Sequence, residues 1–178
     1  MGEVRYPKPA LYFASVIYRN YGFYVQSLHK LTELLGEIEE TTDELDFTHT
    51  QYYNEEMGEN LKRRFVLFKP LRGREELPQV KIKTNAIERD LSYENKRTVN
   101  VDPGYITLEN VILATTKNYT HRIYLRDGIY ADLTLIYKKG SYRPLEWTYP
   151  DYSEEKTVAL FNAWRAILKK KLKLESKW

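Results

Sequence analysis

The run Ala10–Tyr18, ALYFASVIY, is apolar on both of its alternating faces. A strand of that kind must be covered above and below, so it belongs at the centre of a sheet flanked by other layers. It is interrupted only by Ser15 and falls far short of the ~20 apolar residues that span a membrane as a helix. Amphipathic segments able to cover it follow. Tyr24, Leu28, Leu31 and Leu35 keep helical spacing, and Gly36 stands where a left-handed C-terminal cap is wanted. Glu37–Thr42 and Lys62–Lys69 have strand character, and Val80, Thr84, Ile87 and Leu91 mark a second helix with Pro78 near its first turn. Arg97–Val101 is a fourth strand, closed by the type II turn signal Pro103-Gly104.

The order β-α-β, β-α-β is the split pattern of a ferredoxin-like sheet, so the fold class is α+β with a ferredoxin-like βαββαβ core. The remainder predicts an appended helix, an antiparallel hairpin region and a C-terminal helix. Thr107 caps the appended helix, whose inner stripe is Leu108, Val111, Ile112 and Thr115. Ser153 caps the last helix, with Glu154 and Glu155 in its first turn and Lys169–Lys171 near its end. No repeat, low-complexity tract or linker divides the chain, and 178 residues suffice for one core, so residues 1–178 form one domain.

The hairpins can be registered from their turns. A three-residue loop at Arg126-Asp127-Gly128 pairs Leu125 with Ile129 and segregates the side chains. Leu125, Ile123 and His121 then share an apolar face with Ile129, Ala131 and Leu133. Tyr124 meets Tyr130 and Arg122 meets Asp132 on the other. A two-residue Asp-Gly turn pairs Arg126 with Ile129 and mixes the faces. The same three-residue form at Lys138-Lys139-Gly140 pairs Tyr137 with Ser141. It places Glu146 beside Asp132, and Arg143 opposite Leu135. Pro144 consigns this third strand to an edge.

The expected polar row is therefore Arg122, Asp132 and Glu146, flanked by Tyr124 and Tyr130. It suits a phosphate, a cation or a proton-transfer pair, since adjacent carboxylates shift each other's pKa unless a cation intervenes. A solvated cross-strand ion pair is the plain alternative. His121 reads either as a core histidine or as an acid/base group. Asp102, just before Pro103-Gly104, is a candidate at a strand end or a turn stabiliser. Lys117, Arg122 and Arg143 are the candidates for anion recognition. Asp102, His121, Asp132 and Glu146 are those for acid/base or metal work.

Charge is uneven although the net is only +3. Residues 37–60 hold nine Asp/Glu and no Lys or Arg, whereas residues 61–98 hold eleven Lys/Arg against five Asp/Glu. The last fourteen residues hold six Lys/Arg against one acid. Such asymmetry suits an anionic partner on one side and a cation on the other. Within Asp46–Arg64, the groups Asp46, His49, Glu55 and Glu56 offer oxygen and nitrogen ligands for a divalent cation, at a spacing that matches no defined metal motif. The absence of cysteine excludes disulfides and thiolate metal sites and fits a reducing cytoplasm, and Met1–Lys8 lacks the apolar core of a signal peptide, so export is not expected. The chain lacks GxxxxGK[ST], an early GxGxxG, HExxH and GxSxG, which removes conventional P-loop, dinucleotide and zinc-protease readings.

Three segments taken in order, DFTHTQYYNEEMGENLKRRF (46–65), VNVDPGYITLENVILATTKNYTHRIYLRDGIYADLTL (99–135) and SYRPLEWTYPDY (141–152), resemble the bacterial family called domain of unknown function 4416. The opening KPALYFASVIY fits as well. The resemblance implies a single-domain architecture and assigns no reaction. Some members carry a GTP-binding label, against which the missing phosphate loop argues. The expected function is a cytoplasmic enzyme or ligand-binding protein for a phosphorylated small molecule, a nucleotide or an RNA end, with a divalent cation as a conceivable cofactor. The alternative is a non-catalytic interaction module that docks a protein or RNA partner through basic surface, with a pure scaffold third.

Overall fold

A computed structural model describes residues 2–48 and 53–175. The fold is α+β, with a mostly antiparallel nine-stranded sheet in the order β2-β4-β1-β5-β6-β8-β7. Its strands are β1 (Ala10–Tyr18), β2 (Ile38–Thr41), β3 (Leu45–Asp46), β4 (Lys62–Arg72), β5 (Val99–Ile106), β6 (Asn110–Thr115), β7 (Arg122–Arg126), β8 (Ile129–Lys138) and β9 (Ser141–Pro144). β3 pairs with β4, and β9 extends β8 beside β7. The helices are α1 (Tyr21–Leu35), α2 (Asn54–Met57), α3 (Leu77–Asp90), α4 (Pro150–Ser153) and α5 (Glu155–Glu175).

β1 lies at the centre as its composition demands, and all nine of its residues are buried. Tyr12, Ala14, Val16 and Tyr18 face α1 and α3, where they meet Leu31, Val80 and Ile87. Leu11 and Phe13 face the opposite layer, where they meet Phe161, Trp164 and Leu168 of α5. Burying each such side chain stabilises by about 1.5–3 kcal/mol, so the two-sided strand organises both layers. Asn20 caps α1 by accepting from the Gly22 N–H, and Gly36 ends it at φ 93°, a conformation glycine adopts without steric cost.

Several expectations are corrected. Pro103-Gly104 does not turn, because β5 runs through it to Ile106. Gly104 serves a close approach instead: a Cβ there would meet the Ile112 carbonyl of β6 and, at 2.8 Å, the Phe13 ring. The expected helix after Thr107 is strand β6. Both its faces are buried, with Val111 and Leu113 on the α5 side and Ile112 and Ala114 on the α3 side. Thr107 holds the preceding turn, accepting from the Glu109 and Asn110 N–H groups. Ser153 ends α4, donating to the Pro150 carbonyl, and the chain breaks at Glu154 before α5 begins.

Both hairpin connections are two-residue turns with left-handed central residues, Asp127 and Gly128 at φ 54° and 76°, Lys139 and Gly140 at φ 52° and 84°. In the first, Arg126 pairs with Ile129, and a bulge at Leu125 restores the expected pairs Tyr124–Tyr130 and Arg122–Asp132. The second has no such correction, so Tyr137 pairs with Tyr142 and Ile136 with Arg143. An extra residue in β8 between Leu133 and Leu135 offsets that difference, so Arg143, opposite Ile136, stays on the face of Leu133 and Ala131 and is exposed there. Glu146 lies beyond β9, exposed in the Leu145–Thr148 turn.

Candidate functional site

β5 and β6 pair only from Gly104 to Ile106. Below Gly104 they part: β5 stays on β1, while β6 stays on β8. The fork opens a cleft of about 850 Å³, lined from both strands, from α3, and from the segments around Tyr53 and Tyr149.

The β5 wall is a chain of polar contacts. Asp102 accepts from Lys81 Nζ at 3.2 Å and from Asn100 Nδ2 at 2.7 Å. Asn100 Oδ1 accepts from Arg97 at 2.6 Å, and Arg97 pairs with Glu56 at 3.1 Å and Glu88 at 3.7 Å. Glu88 accepts the Val101 N–H at 2.6 Å. Burial raises the Glu88 carboxyl above its ordinary value, an effect that Lys81 opposes. Lys81 and Glu88 reach this wall because they stand in the buried stripe of α3 with Leu77, Val80, Thr84 and Ile87.

The facing wall is built on Asp132, whose side chain is only 4% exposed against 33% for Asp102. Asp132 accepts from Arg122 Nε at 2.8 Å and lies 3.2 Å from His121 Nε2. Arg122 also donates to the Lys117 carbonyl and, at 2.8 Å, to the Tyr149 hydroxyl. Burial raises the Tyr149 phenol, Arg122 opposes the rise, and Asp132 and then Asp102 add to it. Tyr149 therefore senses both aspartates across the gap.

The floor is formed by Arg63, which donates to Asp151 in a buried ion pair and lies over the rings of Phe47, Phe65 and Tyr152. Among the described residues, Arg63 Nε, the Ser15 hydroxyl and the Tyr152 hydroxyl are buried without a hydrogen-bond partner. Burial raises the Tyr152 phenol, and the neighbouring Ser15 hydroxyl slightly opposes the rise. Ser15 is also the cross-strand neighbour of Asp102. Unpaired buried polar groups are costly, and of these three residues Arg63 and Tyr152 belong to the cleft lining.

Of the residues expected from sequence, Glu56, Asp102, Lys117 and Asp132 line the cleft. Asp102 does so from mid-strand rather than from a strand end. His121 and Arg122 stand behind Asp132. His121 precedes β7, so it is free of the ladder's alternation. It leaves the apolar face for Asp132 and stacks on Trp147 at 5.0 Å. Arg122 holds Asp132 in place, with all three of its nitrogens engaged. Tyr124 and Tyr130 contact each other edge to face outside the cleft. Glu146 and Arg143 do not join the site. The expected cation ligands are not assembled either: Asp46 pairs with Lys62 at 2.6 Å, and Glu56 pairs with Arg97. His49 lies outside the described residues, and no cluster of three His, Asp or Glu able to hold a metal occurs among those described. Sequence reasoning missed Lys81, Glu88, Arg97, Asn100, Arg63 and Tyr149. A signal existed for the first two, a Lys and a Glu seven residues apart in an apolar helical stripe.

The family model described as Domain of unknown function (DUF4416) matches residues 8–167. The chain belongs to this family. No curated protein and no solved structure matches it. The match spans both cleft walls, the floor and most of α5, so the fork lies within the DUF4416 unit. Among its described residues, no helix is long and apolar enough to cross a membrane.

Proposed function

We propose that the fork between β5 and β6 binds a phosphorylated small molecule, a nucleotide or an RNA end, and that Asp102 is the group placed for proton transfer on it. The observation that carries this reading is the mixed lining of one cleft. Arg63, Lys81, Arg89, Arg97 and Lys117 face Glu56, Glu88, Asp102, Asp132 and Asp151, with three tyrosines among them. A balanced lining suits a guest that is anionic at one end and rich in hydroxyl or amino donors at the other. Phosphorylated sugars and nucleotides have that character, and the volume is in the range of small-molecule sites. Asp102, one-third exposed, is the aspartate open to a guest. Four of the first five strands support a ferredoxin-like core, since β2-β4-β1-β5 with α1 and α3 on one face keeps that strand order.

The reading is tested by thermal-shift measurements with nucleotides, sugar phosphates and divalent cations. A phosphorylated compound at one hundred times its Kd adds about 2.7 kcal/mol of stability, or roughly 5–10 °C for a domain of this size. Its dephosphorylated counterpart is expected to do far less, and Asp102→Asn and Lys81→Met to abolish the shift. A flat response across the phosphorylated set refutes the proposal.

A further inference from the structure

The α5-side face of the sheet continues past the cleft onto β8 and β7, and there it carries exposed rings. Opposed residues of an antiparallel pair share a face. Thr115 of β6 therefore lies in one row with Tyr130 of β8 and Tyr124 of β7. The next row is Leu113, Asp132 and Arg122. Leu113 belongs to the core beneath α5, which fixes the side on which both rows stand. Thr115 lines the cleft, so Tyr130 is one strand from it and Tyr124 two. Tyr124 is 57% exposed, and its ring meets Tyr130 at 5.3 Å. Tyr119 and Trp147 add further exposed rings beside the same wall, on either side of His121.

The chemistry of this face favours bases over an aliphatic partner. Its exposed groups are polar-tipped rings, with the Arg122–Asp132 pair in the adjoining row and Lys117 at the cleft. The exposed aliphatic Ile123 belongs to the other side, because it pairs with Ala131. Rings on an open antiparallel face, beside basic groups, are what unpaired bases stack on.

We infer that the guest of the cleft is the phosphorylated end of a single-stranded nucleic acid, whose adjoining bases stack on Tyr130 and then Tyr124. This rests on the phosphorylated-ligand reading above and narrows it to a strand end. The terminal phosphate and sugar enter the fork among Lys81, Arg97 and Asp102, and the strand leaves over Thr115.

The test compares hexanucleotides carrying a phosphate at the 5′ end, the 3′ end or neither, in ribo and deoxy forms, with the matching mononucleotides. Anisotropy of labelled strands and thermal shift supply the two readouts. One phosphorylated hexamer is expected to bind at least tenfold more tightly than its mononucleotide and than its unphosphorylated counterpart. Tyr124→Ala and Tyr130→Ala are each expected to weaken hexamer binding roughly tenfold, the scale of one base–aromatic stack. Both should leave the mononucleotide's thermal shift unchanged, and Tyr→Phe at either position should retain binding. Preference for the ribo form adds recognition of the 2′-hydroxyl, and equal binding marks any single strand; either supports the inference. A mononucleotide shift with no gain for hexamers, or hexamer binding untouched by both alanines, overturns the strand-end inference and leaves the phosphorylated-ligand reading standing. No response to any phosphorylated compound removes both.

Discussion

The two walls of the cleft each present an aspartate, and the pair differ in nearly every physical respect. Asp132 is almost wholly enclosed, gripped by Arg122 and His121. Asp102 is one-third exposed, with Lys81 and Asn100 on its flanks and open space before it. An enclosed, charge-compensated carboxylate maintains shape, because removing it strands a buried cation. An accessible carboxylate on a rigid strand is available to a guest. Identical side chains thus stand in opposite environments, one enclosed and charge-compensated, the other open to the cleft.

Substitutions can break that contrast or sharpen it. Asp132→Ala is expected to cost about 3 kcal/mol, since it leaves Arg122 buried with only neutral partners; urea denaturation measures it, and a loss as small as that of an exposed pair would erase the distinction. Gly104→Ala should come next, at about 1–3 kcal/mol, because the added methyl collides with the Ile112 carbonyl and Phe13 at the apex from which both walls spring. Asp102→Asn should cost about 1 kcal/mol or less while removing ligand-induced stabilisation entirely. The smallest effect concerns pH. Burial raises the Glu88 carboxyl above its ordinary 4.5, so the folded protein holds that proton more firmly than the unfolded chain does. The Glu88 contribution is then most favourable below pH 4.5 and declines as pH rises toward the folded value. Glu88→Gln, which can still accept the Val101 N–H, is expected to flatten that part of the stability profile. An unchanged profile would show that the β5 wall tolerates its buried carboxylate at no cost.

How far the sequence disclosed this arrangement depends on the range of the forces involved. β1 was legible because burial on both faces leaves a continuous apolar run. The Arg122–Asp132 and Tyr124–Tyr130 pairs were legible because only one register segregates the hairpin's faces, even though the turn itself is tighter and a bulge makes up the difference. Glu146 was lost one strand later, because β9 ends at Pro144 and the chain turns over Leu145–Thr148. The strand at 110–115 escaped because Val111, Ile112, Leu113 and Ala114 are all buried, and two-sided burial removes the alternation that separates strand from helix. Pro103-Gly104 misled for a different reason. Its glycine makes room for the Ile112 carbonyl of the next strand and the Phe13 ring of β1, a packing demand that no local pattern encodes. The floor pair Arg63–Asp151 joins residues 88 apart in sequence, which is likewise invisible to periodicity.

A fork whose two arms are each laddered to an outer neighbour also keeps its gauge. From Gly104 back to Val99 the β5 arm extends five residues, roughly 17 Å at ~3.3 Å per residue, and it pairs with β1 along that whole length. The β6 arm is laddered to β8 in the same way. Widening the gap at its tips would therefore mean breaking pairings of the central sheet, so its span is set by neighbours on the outside rather than by the vertex alone.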